Sequence, residues 1–200
     1  MNTKPETSNL NPLLATSLQE HLKTIQQLVD ETLPDIQNSA ELLWQVLSSG
    51  RKVLLCGNGG SAADAQHIAA ELVGRYESHR RALPAIALTT DTSALTALSN
   101  DYGYADVFAR QVEALANTGD LLVAISTSGK SENVLRAVAA ARKIGCRTLA
   151  LAGGDGDPLA STCEHAVVVP SHRTARVQEA HITIGHLWCE VIDQKLKEVE

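Results

Sequence analysis

Two hundred residues at 44% hydrophobic content make a chain long enough to bury a core without disulfide staples. A formal net charge of −6 excludes a general nucleic-acid binder, which needs a basic face to neutralise backbone phosphates. Cys56, Cys146, Cys163 and Cys189 form no CxxC pair and read as core thiols, the first dozen residues hold no apolar leader, and no apolar run is long enough to span a membrane. These features point to one domain over residues 1–200 in the cytoplasm, with no membrane and no nucleic acid among its partners.

Residues 1–16 read as a polar tail. Leu18, Leu22, Ile25, Leu28, Val29 and Leu33 then recur at helical spacing, Pro34 punctuates, and a second helical run ends near Ser49 and Gly50. Residues 17–50 are thus expected to be helices ahead of the first strand, used in oligomerisation. Apolar runs follow at Val53–Cys56, Ala85–Thr89, Leu121–Ile125, Thr148–Ala152 and Ala166–Val169, separated by longer helix-like stretches. That alternation is the pattern of βαβ units and predicts an α/β fold, a five-stranded parallel doubly wound sheet of flavodoxin type. Its ligand should sit at the carboxyl ends of the strands beside a topological switch point. The last helix, Ala175 to Lys197, is apolar nearly all round over its middle turns, which predicts burial against the sheet and between subunits.

Two loops could hold phosphate. After the first strand comes Cys56-Gly57-Asn58-Gly59-Gly60-Ser61-Ala62, whose glycines let backbone N–H groups approach a ligand at a helix N-terminus. It matches the G-x-G-x-x-A dinucleotide fingerprint, but the second strand ends at Asp91, more than thirty residues past Gly57, instead of the twenty that a ribose contact expects. A tight β-to-α turn without ligand is the bland alternative. After the third strand comes Ser126-Thr127-Ser128-Gly129-Lys130-Ser131, four hydroxyls around one glycine at a helix N-terminus, suited to an anion rich in acceptor oxygens. Simple capping by Ser131 would use only one of them. A Walker motif needs glycine where Ala124 stands, so a nucleoside triphosphate is disfavoured.

Together, CGNGGSAADAQH, LPAIALTTD, SNDYGY, STSGKS and RVQEAHITIGH resemble the bacterial phosphoheptose isomerases, sugar isomerase (SIS) domain enzymes, over nearly the whole chain. The resemblance implies an SIS sandwich and conversion of sedoheptulose 7-phosphate to D-glycero-D-manno-heptose 7-phosphate for lipopolysaccharide or capsule heptose. It also implies a homotetramer with active sites between subunits. It assigns Asn58, Ser61, Asp101 and Gln178 to the sugar, beside Gly59 and Gly60 of the first loop, with Ser126, Thr127, Ser128 and Ser131 on the phosphate. A related SIS protein is no enzyme but a replication regulator that binds the chromosomal initiator. It lacks the equivalents of Glu71 and His186, so their presence here favours the isomerase. A sensor or isomerase for another sugar phosphate is the third reading.

His67 and Glu71 lie at i and i+4, one helical face, close enough to share a metal or a proton path. Gln178 and His186 are eight apart, and spacing alone equally allows Glu179 with His186, or His181 as the useful imidazole. The resemblance selects Gln178 and His186, which with His67 and Glu71 form a donor set compatible with zinc. Aldose–ketose isomerisation needs a base near carbon and an acid near oxygen, roles that Glu71 and His186 can fill, Glu71 also touching substrate. Arg75 is a candidate second anion contact. Lys130 stands where the family loop often has asparagine, and Ala175 where some members carry an acidic residue. His172, Arg173 and Arg176 read as a solvated basic patch rather than as groups reaching a neighbour's site.

Overall fold

The structure, a computed structural model, describes residues 10–199. Helix α1 spans Asn11–Gln27 and so begins inside the expected tail. Pro12 lies in its first turn, where a fixed φ favours the helix and the missing N–H would have no partner anyway. The rest of the predicted tail, residues 1–9, lies outside the described residues. Pro34 does not interrupt the helical path either. Leu28–Thr32 form a π-helical turn and α2 (Leu33–Ser48) follows directly, with Pro34 in its first turn. The irregularity therefore falls before the proline, in a turn wide enough to absorb it.

Among the described residues five strands form one parallel sheet: β1 (Val53–Gly57), β2 (Ala85–Ala87), β3 (Leu121–Ser126), β4 (Arg147–Gly153) and β5 (His165–Val169). Their order, β2-β1-β3-β4-β5, is the doubly wound one expected. It places the switch point between β1 and β3, whose carboxyl ends carry the two loops singled out above. The intervening helices are α3 (Gly60–Val73), α4 (Thr92–Tyr102), α5 (Val107–Leu115), α6 (Glu132–Ile144), the short α7 (Leu159–Thr162) and α8 (Thr174–Val199).

Alternate strand residues feed two cores. Val53, Leu55, Leu121 and Val123 pack with α2, α3 and α8 on one face of the sheet. Leu54, Cys56, Leu122 and Ala124 pack with α5, α6 and α7 on the other. Strands buried on both faces read as unbroken apolar runs, which is why they were legible. Helix α8 is fixed on α2 by Trp188, fully buried, whose indole N–H donates to Ser39 Oγ at 2.8 Å.

A second buried polar group on α8 gives the fold a pH dependence. His181 is fully buried, with Nε2 3.0 Å from the Ala152 carbonyl at the end of β4. A carbonyl only accepts, so Nε2 carries the hydrogen and the ring is neutral. Burial pulls its pKa down to about 4, partly opposed by the bond to Ala152. An unfolded imidazole binds a proton near pH 6.5, so between about 6.5 and 4 the unfolded chain holds more protons than the folded one. The contribution of this group to stability is therefore complete above about pH 6.5, falls as the pH drops toward 4, and amounts to about 3 kcal/mol. Thermal melts of His181→Gln, which keeps an N–H donor, should lose less stability than the parent between pH 7 and 4.5. Equal slopes would remove His181 as the cause.

Candidate active site

Strand β1 leaves the sheet through Gly57, where a Cβ would lie 2.8 Å from Ser61 Cβ and 3.0 Å from the Ile125 carbonyl, so only glycine fits this close approach. The turn lets α3 begin at Gly60. Asn58, in its middle, exchanges two 2.9 Å hydrogen bonds with the Asn133 amide and accepts a third, also 2.9 Å, from the Tyr104 hydroxyl. Asn133 is buried in the first turn of α6, so this amide pair ties the loop after β1 to the loop after β3 across the switch point.

In the second loop Ser126 Oγ and Ser131 Oγ stand 3.0 Å apart, and the Lys130 N–H donates to Ser128 Oγ at 3.2 Å. Ser131 occupies the N-cap position of α6 but makes no side-chain capping bond, so capping does not account for its hydroxyl. A cavity of about 360 Å³ opens beside the loop, lined by Thr127, Ser128, Lys130, Gly154, His172 and Thr174 among others. This is within the usual size of a small-molecule site. His172 is exposed as expected and also lines this cavity, its Nδ1 2.9 Å from where a Cβ of Gly154 would be. Lys130 is exposed, 3.9 Å from Asp155.

Helices α3 and α8 run side by side. Gly185 has no Cβ to meet Ile68, whose Cδ1 would be 2.7 Å away, and this close packing sets His186 against His67. Their Nε2 atoms are 2.9 Å apart. Glu71 Oε1 is 3.4 Å from the same His67 nitrogen, with side-chain exposures of 47% for His67 and 24% for Glu71, so the group opens to solvent. The Tyr76 ring stacks on His186 at 5.6 Å and 30°. Gln178 lies toward the other end of α8, its amide packed on Gly60, 2.3 Å from where a Cβ would be. Eight residues of helix put it about 12 Å of rise from His186, next to the glycine-rich turn.

The SIS domain family matches residues 18–153. The phosphoheptose isomerase of Nitratiruptor sp. is 56% identical over 177 residues, 88% of this chain and 95% of its own length. This chain belongs to the phosphoheptose isomerases of the SIS-domain family. Solved phosphoheptose isomerases share the fold: the one from Neisseria gonorrhoeae aligns with a TM-score of 0.89 at 46% identity, over 93% of this chain and all of that one. The one from Francisella tularensis aligns with 0.90 at 38%, over 93% and 99%.

The expectation of zinc at His67, Glu71, Gln178 and His186 can be compared with this geometry. Among the described residues no group of three or more His, Cys, Asp or Glu is arranged to hold a metal ion, and His67 and His186 bond directly to one another. By type these side chains suit the ion, since two histidines with a glutamate are an ordinary zinc set, but the expected fourth donor, Gln178, lies two helical turns from His186 and does not join them.

Other residues of this phosphoheptose isomerase fall where spacing could not place them. Glu179 accepts from His21 Nδ1 at 2.8 Å and from Arg176 at 2.5 Å, and His181 is sealed against β4, so neither belongs to the His186 group. Arg176 is buried and also donates to the Ser17 carbonyl, and Arg173 pairs with Glu20. Both arginines tie α1 to α8, but only Arg176 leaves the solvated patch; Arg173 stays exposed, with 53% of its side chain open. Arg75 donates to the Glu77 carbonyl beyond the far end of α3, roughly 20 Å of helix from the Gly60 turn. Asp101 is exposed near the end of α4 and accepts from Asn100 at 2.8 Å. Asp64, one turn before His67, has a buried oxygen without a hydrogen-bond partner, and burial pushes its carboxyl up to about 6 against the pull of His67.

Proposed function

We infer that this chain interconverts sedoheptulose 7-phosphate and D-glycero-D-manno-heptose 7-phosphate through an enediol, supplying heptose for lipopolysaccharide or capsule. The observation that carries this reading is the meeting of Glu71, His67 and His186 in the groove between α3 and α8 of a phosphoheptose isomerase homologue. The hydroxyls of Ser126, Thr127, Ser128 and Ser131 hold the phosphate, with His172 and Lys130 on the cavity wall adding positive charge when protonated. Asn58, Ser61, Asp101 and Gln178, with Gly59 and Gly60, face the sugar. Glu71 removes the proton from carbon and returns it to the neighbouring carbon, and His186 gives and takes the proton at oxygen. Tyr76 keeps the imidazole in one plane by stacking on it.

Zinc would be held by His67, Glu71 and His186, Gln178 of the same chain lying two helical turns away on α8 beside Gly60, and when bound it would supply polarisation of the substrate carbonyl. The chain works as a homotetramer in the cytoplasm, with active sites between subunits. Supporting this, α1 exposes a leucine face, Leu14, Leu18 and Leu22 at 57–67%, that nothing among the described residues covers. A groove of about 480 Å³ also runs between α2 and α8, lined by Leu33, Ile36, Leu187 and Val191 among others. Arg75 is remote from its own chain's phosphate loop and would serve a neighbour's in such an assembly. No described helix is long and apolar enough to cross a membrane.

The test is turnover of sedoheptulose 7-phosphate by the purified protein, before and after chelation. An aldose phosphate should form, activity should fall with chelator and return with zinc, and gel filtration should give four chains. Absence of aldose phosphate with zinc supplied would overturn the enzymatic reading.

A further inference from the structure

Arg80 and Asp193 form an ion pair buried almost completely, at 2% and 5% side-chain exposure, with Nε 2.8 Å from Oδ1. Neither side chain touches the side chains assigned to chemistry, yet apart from a bond from Arg80 Nη1 to the neighbouring Arg81 carbonyl their remaining bonds reach the backbone beside them. Arg80 Nη2 donates to the carbonyl of Glu71 at 2.8 Å and Nη1 to that of Leu72 at 2.9 Å. These carbonyls lie in the last turn of α3, where the helix itself offers no N–H. Asp193 Oδ2 accepts from the backbone N–H groups of Glu77 and Ser78, at 3.2 and 2.8 Å. That anchors the segment following Tyr76, whose ring stacks on His186. Asp193 is seven residues, two helical turns, beyond His186 on the same stripe of α8.

We propose that Arg80 and Asp193 are a positioning pair, fixing the backbone of Glu71 and the Tyr76 segment to α8 so that Glu71 and Tyr76 stay registered on His186. Lysine cannot replace this arginine. A planar guanidinium with several donors in a fixed fork bonds the Asp193 carboxylate and two helix-end carbonyls at once, whereas an ammonium is a point charge on a flexible stem. Burial works to raise the Asp193 carboxyl, but the Ser78 and Glu77 N–H groups and Arg80 outweigh it and hold it below the usual carboxylate range. The carboxylate is therefore charged throughout the working pH range and the clamp is permanent, not a switch.

The proposal rests on the assignment of Glu71 and His186 as the reacting groups, and the experiment separates the two. Arg80→Lys and Asp193→Asn are compared with Glu71→Gln, His186→Gln and the control Ser39→Ala, which breaks the Trp188 bond on the opposite side of α8. The expected result for Arg80→Lys and Asp193→Asn is kcat lower by about 10- to 100-fold, the scale of a misplacement of roughly 1 Å. KM should stay within about twofold, since the phosphate loop is untouched, and the pH profile of kcat should shift at the limb assigned to Glu71. Ser39→Ala should lower Tm and leave kcat and its pH profile unchanged. If either single variant fails to fold, Arg80→Met with Asp193→Leu removes both buried charges together, and low kcat in that folded pair carries the same meaning. Wild-type kcat and pH profile in the folded variants, with Glu71→Gln and His186→Gln inactive, would overturn the positioning role alone. Turnover surviving in Glu71→Gln and His186→Gln would overturn both assignments.

Discussion

Glu71→Gln is expected to lower kcat by about 10³-fold while leaving the fold intact, a loss in the range of removing a general base. Glutamine keeps the volume of glutamate and can still meet His67, but it cannot accept a proton from carbon. The Glu71 side chain is partly exposed and makes no buried hydrogen bond of its own, while its backbone carbonyl, which Arg80 holds, is unchanged by the substitution. Stability should therefore stay near that of the parent, and KM should change little because the phosphate contacts lie near the other end of α3. Steady-state kinetics alongside thermal melts check this. A fall in kcat of less than tenfold would place the base elsewhere, and Asp64, with its unpartnered oxygen and raised pKa, would be the next carboxylate to test.

Gly129→Ala is expected to be the most damaging single-methyl change in the phosphate loop. Gly129 has φ +68, and its Cβ would lie 2.3 Å from the Gly156 carbonyl oxygen. The left-handed conformation alone costs a residue with a side chain about 1–2 kcal/mol, and a backbone collision of this kind adds roughly 1–3 kcal/mol. A loss near 3 kcal/mol is the expected sum. The carbonyl and N–H of Gly129 bond to Leu159 and Ser126, so the loop cannot move aside without opening the turn that sets the distance from Ser126 Oγ to Ser131 Oγ. KM should rise at least tenfold, read together with Tm. Gly59→Ala is a useful contrast: φ is also positive, at +56, but nothing lies within 4 Å of its Cβ, so only the conformational cost applies.

What could be read before the structure was known follows from the range of each interaction. The five strands were legible because a parallel strand buried on both faces leaves an unbroken apolar run, as Leu121–Ile125 does. His67 and Glu71 were legible because a helix turns i and i+4 onto one face. The start of helix α1 was not legible because Leu13 and Leu14 sit among polar residues and their face finds no cover among the described residues. Contacts between distant segments left no local mark. The Asn58–Asn133 amide pair spans 75 residues and the Arg80–Asp193 pair 113, and nothing near either position in the chain announces its partner. The burial of Arg176 left no local mark for the same reason, because an acceptor comes from α1.

The central claim is proton transfer at Glu71, and one measurement addresses it directly: NMR of sedoheptulose 7-phosphate turned over by the purified protein in D₂O. A carboxylate that is 24% exposed exchanges its captured proton with water, so the aldose phosphate formed should carry deuterium at C2. No aldose, or an aldose with protium fully retained at C2 as in a hydride shift, would contradict the account.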